Sequence, residues 1–205
     1  MEEEFLEIEK ILLQEEKPSI SIEKLLKTDR LNKYPFNMIS DLNKIPQNPK
    51  YHPEGNVFNH VMMVIDEGVQ HRNKVTNKRA FMWGLLLHDI GKTPTTKMRK
   101  GRLTSYNHDK VGAVMVREFM EYFNEDEEFI LLVQSLVRWH MQSLYVNKNL
   151  PFKEIDKMVS ELNINDIVLF SLSDRLGRGG IDKDKRKEVF NDIKKFKEVI
   201  SKSNE

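Results

Sequence analysis

The sequence predicts an all-α helical bundle, and three observations carry that expectation. Apolar residues recur at three- and four-residue spacing along most of the chain, the period of an amphipathic helix. No run alternates convincingly in the way a half-buried strand does. Regular helix is ruled out over residues 45–55, where Pro46, Pro49 and Pro53 interrupt the chain.

Each helix has its own signature. Phe5, Ile8 and Leu12 stripe a first helix closed by Pro18, and Ile22, Leu25 and Leu26 mark a short second one. A third is expected within residues 35–45. Residues 45–55 then form an irregular loop, and the expected division is a helical appendage over residues 1–50 and a main domain over 51–205. Val57, Val61, Val64 and Ile65 stripe the next helix, and Phe81, Leu85 and His88 share a face of the one after. Helices are also expected over residues 111–123, 126–141 and 165–176, with another starting at Pro151. Val189, Ile193, Phe196 and Ile200 lay one face of a C-terminal helix on the body. Asp182 and Asp184 read as caps of that helix rather than as a catalytic Asp-x-Asp pair.

Composition sets the outer limits. With 205 residues, 39% apolar and 32% charged, the chain reads as a soluble globular protein with room for one sizeable core. A net charge of +1 argues against a general polyanion coat. The absence of cysteine excludes disulfides, thiolate metal sites and cysteine nucleophiles. The acidic start Met1-Glu2-Glu3-Glu4 is the wrong sign for a secretory signal. No apolar stretch approaches bilayer length. The expected setting is the cytoplasm, with no membrane partner; the oligomeric state is not legible.

The most informative feature is His88-Asp89-Ile90-Gly91-Lys92, which ends the apolar run Phe81-Met82-Trp83-Gly84-Leu85-Leu86-Leu87. Burying an imidazole beside a carboxylate is costly unless something positive compensates them. A divalent cation does so, and this ligand pair suits Mn²⁺, Fe²⁺, Ni²⁺ or Zn²⁺. Gly91 is expected to cap the helix, placing both ligands at its end with Lys92 emerging beside them.

Other ligand-type residues fall on inward faces. His60 shares a face with Val57 and Val64, His140 follows Leu136 and Val137, and Asp174 follows Ile167 and Phe170. His108 precedes a helix at a capping position, and His71 lies among polar residues at the surface. Each has a bland account: a hydrogen-bonded core histidine, a cap, or for Asp174 an ion pair with Arg138 or Arg175. The set is harder to explain blandly, because facing helices that each deliver one inward ligand are how bundles build metal centres.

The order His60, His88-Asp89, His108, His140, Asp174 resembles the HD superfamily of metal-dependent phosphohydrolases. A closer likeness is to the HD domain of bacterial tRNA nucleotidyltransferases. It rests on His52-Pro53-Glu54-Gly55, the HDIGK element, His108 with Gly112-Ala113, and Asp174-Arg175-Leu176-Gly177-Arg178. Residues 1–50 lack the Gly-Ser turn and Asp-x-Asp pair of those enzymes' catalytic head. The resemblance therefore implies a free-standing HD domain rather than nucleotidyl transfer.

The resemblance further implies that His60, His88, Asp89 and Asp174 ligate a first divalent metal. His108 and His140 would hold a second, with Asp89 bridging. The cofactor is one or two ions of Mn, Fe, Ni, Co, Zn or Mg. Asp89 and Lys92 carry the catalytic expectation, and His52, Lys92, Arg175 and Arg178 are expected to bind substrate. The implied activity is hydrolysis of a phosphate ester of a nucleotide, cyclic nucleotide or RNA end by metal-bound hydroxide. The partner is thus a small phosphorylated substrate or an RNA end. A non-catalytic nucleotide- or RNA-binding module with a structural metal stays open as the alternative. His52 and Glu54 are expected at the rim. Lys92, Lys97, Arg99, Lys100 and Arg102 make the segment after HDIGK either a phosphate-facing wall or a solvated basic loop.

Overall fold

Side-chain caps decide where most of the long helices begin. In the computed structural model, which describes residues 1–204, Asn56, Asn77, Asp126, Asn163 and Asp182 each accept a backbone N–H of the turn that follows. They start α4 (Val57–Val69), α5 (Lys78–Leu87), α8 (Glu127–Trp139), α11 (Ile164–Leu176) and α12 (Lys183–Ser201). The remaining long helix of the body, α7 (His108–Tyr122), starts at Asn107, a left-handed residue with φ 60° that makes no side-chain cap bond. His108 is thus the first residue of α7 and not its cap.

The centre of the molecule is α5, in which every residue from Ala80 to Leu87 is buried. A helix apolar all round must be surrounded, and α1, α4, α8 and α11 pack around it. Its C-terminal end therefore lies inside the protein.

The N-terminal helices α1 (Glu2–Gln14) and α2 (Pro18–Leu26) share this core. Phe5 stacks 4.6 Å from Trp83 and 4.3 Å from Phe123. Trp83 Nε1 donates to Glu9 at 3.0 Å, and Arg79 joins Glu9 to Glu125. A short α3 (Asn37–Ser40) runs into a 3₁₀ turn (Asp41–Lys44), and the proline-rich loop follows, pinned by a bridge between Pro46 and Asn56.

The structure departs from the sequence expectations in several places. Gly91 is not a left-handed cap: its φ is −64°, and it leads into α6 (Lys92–Thr95), a single turn. It must be glycine for space, since a Cβ there would collide with the His108 carbonyl oxygen and lie 2.5 Å from Gly112 N. The basic segment is no open loop but a hairpin, β1 (Thr96–Arg99) with β2 (Arg102–Ser105), Thr96 opposite Ser105. Lys100 and Gly101 make its turn with φ of 48° and 72°, the left-handed pair that suits a two-residue hairpin. Pro151 starts no helix; α9 (Gln142–Asn147) and α10 (Ile155–Glu161) flank its turn. His71 is half-buried, not at the open surface. No helix among the described residues is long and apolar enough to cross a membrane.

Candidate metal centre

Two helices stop at the centre, and each stops at a histidine. The last carbonyls of a helix have no intrahelical partner. His88, just after α5, turns back so that Nδ1 donates to Leu85 O at 2.8 Å, and His140, just after α8, does the same to Val137 O at 2.6 Å. His108 Nδ1 donates to Ser105 O at 2.7 Å, and His60 Nδ1 to Gly177 O at 3.1 Å. A carbonyl only accepts, so each Nδ1 carries the hydrogen and each Nε2 is left to point inward. Metal-ligating histidines are oriented in this way.

The four Nε2 atoms converge on two buried carboxylates. Asp89 Oδ2 lies 3.4 Å from His88 Nε2 and 3.9 Å from His60 Nε2. Asp89 Oδ1 lies 3.5 Å from His108 Nε2 and 3.9 Å from His140 Nε2. Asp174 Oδ1 is 3.1 Å from His60 Nε2 and 3.9 Å from His88 Nε2. Two groups result, His60/His88/Asp174 and Asp89/His108/His140, in each of which the ligand atoms lie within 4.8 Å of one another. All six residues are buried.

The donor set fits a cation. His88 Nε2 is buried with no hydrogen-bond partner. His108 Nε2 and His140 Nε2 face each other at 3.1 Å, although their hydrogens are already used on backbone carbonyls. Two lone pairs at that distance repel unless something positive lies against them. Nitrogen and carboxylate ligands of this kind suit divalent first-row metals.

Protonation states follow the same geometry. Burial opposes charge on His60, but hydrogen bonds to Asp174 and Glu54 outweigh it and raise its pKa above the usual 6.5. Burial, with the neighbouring His108 and His88, pushes His140 down to about 4. His108 is lowered too, again chiefly by burial. Burial resists ionisation of Asp89 and Asp174, yet both lie well below the usual carboxylate range. Lys92 and His88 hold Asp89 there; His60 and Arg178 hold Asp174. The Lys92 ammonium lies 2.7 Å from Asp89 Oδ2, and His60 Nε2 lies 3.1 Å from Asp174 Oδ1.

Around this cluster stand supporting residues. Glu54, its side chain 4% exposed, approaches His52 Nδ1 at 2.8 Å and His60 Nδ1 at 3.3 Å, and accepts Gly179 N at 3.0 Å. His52 thus lies one residue outward from His60. Gly177 lets α11 end against α4, since a Cβ there would sit 2.5 Å from Val64 Cα. Arg178 Nη2 stands 3.8 Å from Asp174 Oδ2. Arg175 is directed elsewhere, to Asp192 at 2.7 Å, because neighbours on a helix point about 100° apart. Gln47 escaped the sequence reading. Its Oε1 accepts Lys92 Nζ at 2.9 Å and its Nε2 donates to Asn56 O, but nothing about a lone glutamine in a proline-rich loop signals that.

The hairpin stands beside the centre, its end tied in through Ser105 O and His108. Lys97, Arg99, Lys100 and Arg102 are all exposed, as are Met98 and Tyr106, and the Arg99 guanidinium lies 4.8 Å over the Tyr106 ring.

An HD-type centre in a helical bundle is the class of site these elements define. The HD domain family model matches residues 57–178, and the chain belongs to the HD domain family. That match takes in all six clustered residues and leaves His52 and Glu54 just outside. Among curated proteins, the chain is similar to the Multifunctional CCA protein of Haemophilus influenzae, at 30% identity over 66% of this chain and 32% of that protein. It is also similar to the proteins of that name from Mannheimia succiniciproducens (26%, over 83% of this chain and 42% of that protein) and Pasteurella multocida (26%, over 87% and 43%). The chain thus spans between about a third and two fifths of the length of these relatives.

Proposed function

We propose that this chain is a metal-dependent phosphohydrolase acting on a phosphate ester of a nucleotide, a cyclic nucleotide or an RNA end. The observation that carries the reading is the convergence of four imidazole Nε2 atoms on Asp89 and Asp174, with His108 and His140 facing each other at 3.1 Å. On this reading His60, His88, Asp89 and Asp174 hold one divalent ion, and Asp89, His108 and His140 a second. Such ions lower the pKa of water and neutralise charge on phosphoryl oxygens.

The chain's own residues supply the rest. The backbone carbonyls of Leu85, Ser105, Val137 and Gly177 fix the ring directions. Lys92, placed by Asp89 and Gln47, offers a cation to the attacked phosphate. Arg178 adds positive charge near Asp174, and His52 closes the rim beside His60. The division into a helical appendage, residues 1–50, and an HD body, residues 51–205, belongs to the same reading.

The test is turnover of bis-p-nitrophenyl phosphate and a nucleotide panel by chelated protein reloaded with Mn²⁺, Ni²⁺ or Mg²⁺. Metal-dependent hydrolysis supports the enzyme. Stoichiometric metal binding with no hydrolysis of any substrate would instead favour a binding module with a structural ion.

A further inference from the structure

The two halves of the centre are not held together in the same way. His60 and Asp174 attract each other at 3.1 Å, and Glu54 ties the neighbouring chain ends. His108 and His140 come from the start of α7 and the end of α8, and nothing attractive joins their Nε2 atoms. Packing of Gly112 against Val137 and a bond from Gln134 Nε2 to Ala113 O at 3.1 Å join α7 to α8, but the contact nearest the two histidines in sequence is an ion pair.

That contact lies one residue after His108 and two before His140. Asp109 Oδ2 accepts Arg138 Nη1 at 2.8 Å, with the side chains only 3% and 16% exposed. The guanidinium is itself held from two further sides. Its Nη2 meets Glu154 Oε1 at 2.6 Å, and its plane lies 4.1 Å over the Trp139 ring. Glu154 is anchored in turn, because its N–H donates to Gln142 Oε1 at 3.0 Å. Another α7–α8 ion pair among the described residues, Arg117 with Glu127, is more exposed and lies farther from the centre.

A buried ion pair adds little net stability over a well-packed apolar pair, since desolvation offsets the attraction. What it does fix is geometry, because a planar guanidinium bound at two edges has one orientation. We propose that Asp109 and Arg138 are positioning residues for the second metal half-site: they set the His108–His140 separation and so decide whether the centre takes one ion or two. This rests on the metal-centre reading above.

The experiment is Mn²⁺ titration of the whole chelated 205-residue chain, read by ions bound per chain and by the electron paramagnetic resonance spectrum. Wild type should bind two ions with an exchange-coupled spectrum. Arg138→Met should keep its helical circular dichroism and bind one ion, giving an uncoupled spectrum. Arg138→Lys should retain the second ion with affinity lowered by roughly 10- to 100-fold, the scale of losing a supporting contact to a ligand. Asp109→Asn, which keeps the side chain's size, gives the same reading if Arg138→Met does not fold. Arg79→Met breaks a half-buried pair on the far side of the core and should lower thermal stability while keeping both ions.

Two coupled ions in Arg138→Met and Asp109→Asn at wild-type affinity would overturn the proposal alone. So would equal loss of the second ion in Arg79→Met, which would trace the effect to general loosening. Fewer than two ions in wild type would overturn the two-ion reading and this proposal with it.

Discussion

His60 carries a consequence for how the centre loads. Its pKa is raised above 6.5, with both ring nitrogens facing acceptors. When the metal-free site is protonated, its second proton therefore sits on Nε2, facing Asp174, where a cation would bind. That proton stabilises the metal-free fold below pH 6.5, and the contribution is lost as pH rises through the folded pKa. Metal uptake should therefore release a proton, with affinity falling as pH falls. Calorimetry in buffers of different ionisation enthalpy checks this: a buffer-independent heat at about pH 6, below the ordinary histidine value, would rule it out. Lys92 and Asp89, 2.7 Å apart, should fail differently. Asp89→Ala should lose bound metal and turnover with the helical fold kept. Lys92→Ala should keep its metal and lose turnover by roughly ten- to a thousand-fold, the scale of one charge-stabilising donor. Elemental analysis beside kinetics separates the two, and a Lys92→Ala enzyme as fast as wild type would remove this lysine from the chemistry.

At the scale of elements, the inward faces were legible because side-chain direction on a helix follows from spacing alone. His60, His140 and Asp174 were placed by the apolar residues three, four or seven positions away; of Asp182 and Asp184, both read as caps by type, Asp182 caps α12 and Asp184 lies in its first turn. The hairpin was not legible: its strands are four residues long and hold no fully buried residue, so they carry no buried alternation. Gly91 was read through the wrong property, conformational freedom rather than volume. Gly177 O, which orients His60, and Gln47, which holds Lys92, come from segments far apart in sequence, while the carbonyls that orient His88, His108 and His140 lie three residues back and depend on side-chain rotamers that spacing does not give. Gly91→Ala should cost at least about 1–3 kcal/mol, the cost of overpacking, because its neighbours are backbone atoms of α7. Thermal unfolding of the chelated protein measures it; an unchanged midpoint would mean that α7 yields freely. The hairpin's charge should matter by substrate length. Arg99→Glu or Arg102→Glu should weaken oligonucleotide binding and flatten its salt dependence, while kinetics on a mononucleotide stay near wild type. Equal losses on both substrates would place these arginines at the reacting phosphate instead.

Across the whole molecule, the apolar core runs without a break from α1 to α12. Phe5 lies between Trp83 and Phe123, and Trp83 belongs to the same helix whose end carries His88. Truncating a buried phenylalanine costs about 3–5 kcal/mol, so Phe5→Ala should lower the unfolding midpoint by several degrees or more. A midpoint within a degree of wild type would show that α1 contributes little to the body. The sequence division at residue 50 rested on three prolines, which mark an irregular backbone but say nothing about which side chains meet across it.

Long-range ties in the centre join His60 to Asp174 and Gly177, 114 and 117 positions further on. Zinc fingers fold around their ion because the ligands are neighbours in the chain. Here the ligands meet only after most of the polypeptide has collapsed and its largest loop has closed, the slow part of acquiring a native topology. On the reading proposed above, an ion held by all six residues would enter a site that folding has already built, and a nascent chain would present scattered histidines rather than a complete ligand set.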